Sequence, residues 1–164
     1  MRLRLRLVRL TLPAGLLLTA TPSTVFADSA PEFDFLHVSC NGGENEIRVI
    51  IENVEKSVGL VAADLYLNNE ETFLKPKQRV KQVRFAAREP FTAYCMTAPE
   101  PGLYAIALYH DRNANGSLDR TGLGLPAEPW GISNNPRVRF SAPHVSKAIF
   151  EVTADGAKVA IRLR

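Results

Sequence analysis

Short runs of branched and aromatic residues, separated by glycine and proline, are the feature that most restricts the fold of this chain. We predict seven strands from these runs: 47–51, 58–67, 80–85, 91–96, 103–109, 148–152 and 158–163. No segment keeps the 3.6-residue period of an amphipathic helix. Strands of this length with turn signals between them are typical of a sandwich or barrel. We therefore expect an all-β chain folded as a single-domain β-sandwich of about seven strands.

Two turn sequences predict β-hairpins. The Pro/Gly-rich turn at 99–102 is expected to join the strands on either side of it, and Asp155-Gly156 is expected to join the last two strands. Asp-Gly is a strong tight-turn dipeptide because both residues tolerate positive φ. In the last strand, alternation predicts that one face is buried, formed by Val159, Ile161 and Leu163.

The first 27 residues have the pattern of a secretory signal peptide. Four arginines precede an apolar segment, 10–20, and small residues then prepare a cleavage site after Ala27. The apolar segment is shorter than the roughly 20 residues that a membrane helix needs. We therefore expect a signal peptide at 1–27, a single domain at 28–164 without a transmembrane helix, and a periplasmic or secreted protein.

The charge of the mature chain argues against a nucleic-acid partner. The whole chain has 20 Lys and Arg against 17 Asp and Glu. Four of the arginines lie in the predicted signal peptide, so the mature chain has a net charge of −1. A nucleic-acid-binding surface would need a basic patch or stripe, which the sequence lacks.

Cys40 and Cys95 are the two cysteines of the chain. An exported protein meets an oxidising compartment, where an even cysteine count favours a disulfide. Two cysteines allow one intramolecular pairing, so we predict a Cys40–Cys95 disulfide. The alternative is a pair of buried thiols whose Cα atoms are too far apart to bridge.

The segment 111–142 has little strand character and is interrupted by many glycines and prolines. A structureless connection of this length in a compact domain is uncommon and usually functional. We expect one long ordered loop, held in place by a bound cation or by an apolar plug. The candidates for the plug are Leu123, Leu125, Trp130 and Ile132.

Residues 111–119 read D-x-N-x-N-G-x-x-D, the front part of a Ca²⁺-binding loop. The predicted metal ligands are the side chains of Asp111, Asn113, Asn115 and Asp119, the backbone carbonyl of Ser117, and the carboxylate of Glu128. An EF-hand would need a bidentate acid where this loop has Gly122, as well as flanking helices, so the loop is not an EF-hand. With few carboxylates, we expect a dissociation constant of about 10⁻⁴–10⁻³ M.

The same residues also fit a turn that binds no metal. Asp and Asn side chains accept hydrogen bonds from the backbone two residues further on, and they tolerate left-handed conformations. A repeat of such residues with a spacing of two can therefore be a pair of Asx-turns. Both interpretations of the loop remain open at the level of the sequence.

A second set of candidates concerns ligand binding or catalysis by the loop. The residues are His110, Trp130, Ser133 and Asn134. Trp130 could stack on a sugar or a peptide, or it could pin the loop to the sandwich. His110 beside Asp111 permits a hydrolytic interpretation, but its alternation with Ile106 and Leu108 predicts burial at the end of a strand. The sequence has no G-x-S-x-G or H-E-x-x-H motif, so no catalytic residue is assigned.

Three linked motifs carry a resemblance to a known family. They are GLYAIA at 102–107, HDRNANGSLD at 110–119 and GLPAEPWGISNN at 124–135, and AIFEV at 148–152 is similar to the tail strand of the same family. In these motifs the chain resembles the bacterial exported family called domain of unknown function 2141. The resemblance implies a small secreted or periplasmic β-sandwich of prealbumin-like or immunoglobulin-like kind, with an uncharacterised activity.

These observations favour an exported, non-enzymatic binding or accessory module. We expect Ca²⁺ in the loop 111–119 and an envelope protein or glycan as partner. One alternative is a hydrolytic enzyme that uses His110 with nearby carboxylates. The other is a metal-free structural interaction domain.

Overall fold

The computed structural model of the protein describes residues 40–139 and 141–164. The predicted signal peptide lies outside the described residues. Those described belong to one compact unit. Their strands are β1 Glu46–Glu52, β2 Leu60–Leu67, β3 Lys81–Ala86, β4 Phe91–Thr97, β5 Gly102–Asp111, β6 Trp130–Ile132, β7 Phe150–Val152 and β8 Ala157–Arg162. Two short 3₁₀ turns lie at Pro76–Gln78 and Val145–Lys147.

The strands form two sheets. The smaller sheet has the order β4-β1-β8, in which β1 is antiparallel to β4 and parallel to β8. The larger sheet has the order β3-β2-β5-β6, and β7 pairs with the first residues of β5. The predicted all-β sandwich is confirmed. The described part of the chain has eight strands instead of seven, because the three-residue β6 was assigned to the long loop.

Both predicted hairpins are wrong. β4 pairs with β1 while β5 pairs with β2, so the turn between them passes from one sheet to the other. In the same way β7 belongs to the larger sheet and β8 to the smaller one. An isolated bridge between Thr153 and Gly156 is what remains of the second hairpin. A turn signal indicates where the chain reverses, but it does not specify which strand the next one will pair with.

The main core lies between the two sheets. Ile47, Val49 and Ile51 alternate along β1 and meet Val61, Leu65 and Ile106 from the larger sheet. The alternation predicted for the last strand is confirmed, since Val159, Ile161 and Leu163 are buried in the same core. Burial of these branched side chains supplies most of the favourable free energy of folding.

A second apolar cluster covers part of the outer face of the larger sheet. Tyr66 of β2 and Ala105 of β5 alternate with core-facing neighbours and therefore point away from the main core. Phe73 packs edge-on against Tyr66, with ring centroids 5.7 Å apart. Ile132, Val145 and Ala148 complete the cluster. It holds two long connections against the sheet.

Cys40 and Cys95 form the predicted disulfide, with Cα atoms 5.4 Å apart. The bond ties the segment that precedes β1 to the middle of β4. No helix in residues 40–139 or 141–164 is long and apolar enough to cross a membrane.

Candidate functional site

Asp111 is the last residue of β5, and its side chain shapes the start of the long loop. The residue is fully buried. One carboxylate oxygen accepts the backbone N–H of Asn115 at 3.0 Å, and the other accepts that of Gly116 at 2.8 Å. Hydrogen bonds to a carboxylate are stronger than those between neutral groups. Asp111 therefore fixes the turn at 113–116 directly after the strand ends.

Asp119 closes the other end of this turn through two side-chain amides. Its Oδ2 accepts the amide of Asn113, and its Oδ1 accepts the amide of Asn115, both at 2.8 Å. The amide oxygens of the same two residues point the other way. Asn113 Oδ1 accepts the N–H of Asn115 at 3.1 Å, and Asn115 Oδ1 accepts the N–H of Ser117 at 2.9 Å. The two Asx-turns expected of a metal-free loop are therefore present.

Glu128 joins the two ends of the loop. Its buried carboxylate accepts the N–H of Arg112 at 2.8 Å and the N–H of Asp119 at 3.1 Å. The residue comes from the far end of the connection, sixteen positions after Arg112. Glu128 thus acts as a brace between backbone segments, a role that the sequence did not reveal. Its contribution to a metal site stays a prediction.

The carboxylates predicted as metal ligands do not gather at one point. Among the described residues, one group of three His, Cys, Asp or Glu side chains has its ligand atoms within 4.8 Å of one another. It consists of Cys40, Glu46 and Cys95, away from the loop 111–119. The two sulfur atoms of that group are already bonded to each other. A cation at 111–119 would therefore rely on amide and carbonyl oxygens beside Asp119.

Two side chains from the larger sheet hold the middle of the loop. The guanidinium of Arg84 donates to the carbonyl of Gly116 at 2.6 Å, and the hydroxyl of Tyr109 donates to the same oxygen at 3.2 Å. Burial raises the pKa of Tyr109, although the charge of Arg84 opposes this shift. The phenol therefore stays protonated and can donate at neutral pH.

Residues 119–127, which we call the tongue, project from this braced base. Within it, Arg120 and Pro126 form a β-bridge, and Ala127 N–H donates to Asp119 O at 2.8 Å. At its tip Leu123 is 89% exposed and Leu125 is 62% exposed. The prediction that these leucines plug the loop onto the sandwich is wrong. Their positions among Gly122 and Gly124 leave them without neighbours that could cover them.

His110 lies inside the protein and not on the loop surface. It is fully buried on the core face of β5, as its alternation predicted, and its Nε2 donates to the carbonyl of Val58 at 2.6 Å. Because a carbonyl oxygen can only accept, this bond requires a proton on Nε2, and Nδ1 has no partner. The backbone N–H of His110 donates to Pro129 O at 2.8 Å. The side chain is thus held away from any substrate at the surface.

Ser133 and Asn134, which the sequence predicted on the ligand surface, both donate hydrogen bonds to backbone carbonyls. Ser133 is fully buried; its hydroxyl accepts the N–H of Ile106 at 3.0 Å and donates to the carbonyl of Ala148. Asn134 is exposed, but its amide donates to Ile149 O at 2.6 Å. These two side chains tie the end of β6 to the segment before β7.

Trp130 opens β6 and is half-buried against the second apolar cluster. The guanidinium of Arg164 lies 4.8 Å from the centre of its ring. The backbones of the same two residues exchange hydrogen bonds of 3.0 and 3.3 Å. These contacts fit the interpretation of Trp130 as an anchor of the long loop. Part of the ring remains accessible.

Comparison with known proteins identifies the family. Residues 49–160, more than half of the chain, match a family described as an uncharacterized protein conserved in bacteria, DUF2141. The chain belongs to this family. No curated protein and no solved structure matches the chain. In this member of DUF2141, the motif residues 110–119 and 124–135 comprise the end of β5, most of the loop that Glu128 braces, and β6 with the turn after it.

Proposed function

We propose that the protein is an exported, non-enzymatic binding module that presents the loop 111–128, with a Ca²⁺-type cation bound at 111–119. The observation that carries the binding role is the exposure of Leu123 and Leu125 on a braced tongue. Large apolar side chains held out in water by an ordered loop are typical of a contact surface. The Cys40–Cys95 disulfide supports an oxidising compartment, such as the periplasm or the medium.

The position of Asp119 supports the cation. Each of its oxygens lies 2.8 Å from an Asn amide nitrogen. A half-turn of those amides would exchange nitrogen for oxygen with little change in shape. Asn113, Asn115 and Asp119 would then present a set of oxygens about 3 Å apart, as on the edges of a Ca²⁺ coordination sphere. Such oxygens repel one another unless a cation lies among them.

Rotation of the two amides would break two hydrogen bonds to backbone N–H groups, and both N–H groups have another acceptor. Asn115 N–H would lose Asn113 as a partner but keep its 3.0 Å bond to Asp111. Ser117 N–H would lose its bond to Asn115, although it lies at the exposed surface, where water can replace that acceptor. The amide orientation is therefore expected to report whether the cation is bound.

The test is thermal unfolding of the exported protein in CaCl₂ and in excess chelator. A concentration of about 5 mM should stabilise the folded state by about 1–2 kcal/mol if the dissociation constant is about 10⁻⁴–10⁻³ M. That corresponds to a rise of a few degrees in Tm for a domain of this size. The Asp119→Asn variant should lose the rise, and Asp155→Asn, in an exposed turn, should keep it.

NMR provides a second readout from the same samples. The side-chain amide signals of Asn113 and Asn115 should move on addition of CaCl₂, because their hydrogen-bond partners change. If neither the Tm nor these signals respond in the wild type, the cation is absent from the function of the loop. The binding role of the tongue would stand independently of that result.

One observation favours a second candidate, a metal-free interaction domain. The carboxylates of Asp111 and Glu128 each accept two backbone N–H groups, so the loop is already closed by protein bonds. In that case Asp119→Asn should lower Tm equally with and without CaCl₂. The hydrolytic alternative receives no geometric support, because His110 is buried and bonded to Val58.

A further inference from the structure

The chain contains two Asn-Gly dipeptides, Asn41-Gly42 and Asn115-Gly116. An Asn before a Gly is prone to lose its side-chain amide, because glycine has no Cβ to shield its backbone nitrogen. That nitrogen can attack the side-chain carbon Cγ of the Asn and close a succinimide ring. Both Asn41 and Asn115 are exposed. The surroundings of the two dipeptides differ, and the difference singles out Asn115.

The attacking nitrogen at Asn115-Gly116 faces a base. The backbone N–H of Gly116 donates to Oδ2 of Asp111 at 2.8 Å, and Asp111 is fully buried. A carboxylate that is bonded to the attacking N–H can take its proton as the new bond forms. The φ of Gly116 is +87°, a conformation that favours glycine and so keeps the nitrogen unshielded.

The carbon under attack belongs to an amide that is held at both ends. Asn115 Oδ1 accepts the N–H and the hydroxyl of Ser117, both at 2.9 Å. Two donors on this oxygen would stabilise the negative charge that develops on it during the attack, as in an oxyanion hole. At the other end of the amide, Asn115 Nδ2 donates to Asp119 Oδ1 at 2.8 Å. That carboxylate stabilises the positive charge that the leaving nitrogen gains on protonation.

Asn41-Gly42 lacks this arrangement around its side chain. Gly42 N–H donates to Glu46 Oε1 at 3.3 Å, so a carboxylate also lies beside this nitrogen. Among the described residues, however, the hydrogen bonds of Asn41 and Gly42 involve backbone N–H groups and not the side-chain amide. The chain therefore contains a matched control, which is the same dipeptide beside a carboxylate but without donors on the amide oxygen.

We propose that Asn115-Gly116 is a self-processing site, at which the folded loop converts the amide of Asn115 into a carboxylate. Gly116 N bonds to Asn115 Cγ, Asp111 takes the N–H proton, and the bond between Cγ and Nδ2 breaks. The proton passes through water to the leaving nitrogen, which departs as ammonia. Water then opens the succinimide at either carbonyl and leaves aspartate or isoaspartate at position 115. The net reaction consumes water and releases ammonia, and it needs no other reactant.

The product would change the loop in which the cation is proposed. A carboxylate at position 115 would lie opposite Asp119, where Nδ2 of Asn115 is now 2.8 Å from Oδ1. Two carboxylates this close repel each other unless a cation lies between them. An added acid also raises the affinity of an oxygen site for Ca²⁺. This consequence rests on the proposed function, whereas the reaction itself does not.

The test is incubation of the exported protein in chelator at physiological temperature, followed by peptide mass spectrometry at both dipeptides. In the folded protein, Asn115 should be converted at least about tenfold faster than Asn41, because oxyanion donors supply rate factors of that order or more. In urea, where the contacts of the loop are lost, the two positions should react at similar rates. Conversion of Asn115 no faster than that of Asn41 in the folded protein, or the same preference in urea, would overturn the proposal.

Two variants test the assigned roles, with Asn41 as the reference in each sample. Ser117→Ala removes an exposed hydroxyl and should slow the conversion of Asn115 by about tenfold. Asp111→Asn removes the base and should slow it by about a hundredfold. Conversion of Asn115 at the wild-type rate in both variants would reject the mechanism.

A pH series of the wild type avoids the structural effect of replacing Asp111. With a resident carboxylate as base, the conversion rate of Asn115 should change less between about pH 6 and 8 than it does in urea, where hydroxide is the base. Equal pH dependence in the two states would contradict the role of Asp111.

These results are separable from those of the cation test. Preferential conversion of Asn115, without any effect of CaCl₂ on Tm, would support self-processing and reject the cation. A Tm response without preferential conversion would support the cation and reject self-processing.

Discussion

The carboxylate of Glu128 accepts the backbone N–H of Arg112 at 2.8 Å, which joins the two ends of the loop that follows β5. Its other oxygen accepts the N–H of Asp119, where the tongue begins. One side chain therefore holds both the loop 111–119 and the tongue. Removal of this brace should affect stability and presentation of the loop together.

We expect Glu128→Ala to lower the free energy of unfolding by about 2–3 kcal/mol, because two backbone N–H groups lose a charged acceptor. The free energy of unfolding of Glu128→Gln should lie between those of Glu128→Ala and the wild type, since the amide oxygen of Gln can still accept one N–H. Urea unfolding followed by Trp130 fluorescence measures both. Glu44→Ala, at an exposed position, is the control and should stay within about 0.5 kcal/mol of the wild type. An equally small effect at Glu128 would show that the brace is dispensable.

Gly59 lies where β2 meets the end of β5. Its φ is +69°, and a Cβ there would stand 2.1 Å from the carbonyl oxygen of Asp111. Gly59→Ala should therefore destabilise the protein by about 2–4 kcal/mol through backbone strain and steric overlap. Gly122→Ala is the matched control, because its Cβ would meet open space. Chemical denaturation of both variants should show a clear difference in the free energy of unfolding. A Gly59→Ala variant as stable as the wild type would contradict the close contact between Gly59 and the end of β5.

Alternation of apolar residues predicted the strands but not their pairing. Val159, Ile161 and Leu163 were correctly placed on one buried face. However, both sheets bury one face against the same core, so the pattern is the same whichever sheet a strand joins. The strand β6 escaped prediction because it is short and contains Gly131. A Cβ at Gly131 would lie 2.7 Å from Ile161, which explains why glycine is needed there.

Residue types predicted only part of the candidate site. The D-x-N-x-N-G pattern located the turn, since Asp and Asn have few other reasons to recur with that spacing. Ser133 was assigned to a ligand surface, because a serine hydroxyl carries no sign of burial until its two backbone partners are known. Leu123 and Leu125 were assigned to a plug on hydrophobicity alone. Their flanking glycines were the signal that could have indicated an exposed tip.

The disulfide provides a third prediction. Cys40 and Cys95 are separated by 55 residues, and closing a loop of that size restricts the unfolded chain. The chain-entropy estimate for this loop is about 4 kcal/mol. A Cys40→Ser/Cys95→Ser variant should therefore lose several kcal/mol in urea unfolding, and adding reductant to the wild type should give a similar loss. If the reduced wild type keeps its full stability, the bond contributes nothing to the folded state.

Asp64 is a carboxylate in an unfavourable position on the outer face of the larger sheet. Its side chain is 11% exposed, its Oδ1 has no hydrogen-bond partner, and Arg79 approaches its Oδ2 at 3.7 Å. Burial raises the pKa of Asp64 above its ordinary value of 3.8, and Arg79 only partly opposes the shift. The folded protein therefore binds this proton more tightly than the unfolded chain does.

The sign of the pH dependence follows from linkage. A carboxyl whose pKa is raised on folding favours the folded state most at pH values below 3.8, and this contribution is lost as pH rises through the folded pKa. Asp64→Asn should thus be more stable than the wild type by about 1 kcal/mol at pH 7, because a poorly solvated charge is removed. The difference should shrink toward zero as the pH is lowered to about 3. Urea unfolding of both proteins across this range measures it, with Asp155→Asn as an exposed control. A variant less stable than the wild type at pH 7 would mean that the contact with Arg79 outweighs the cost of burial.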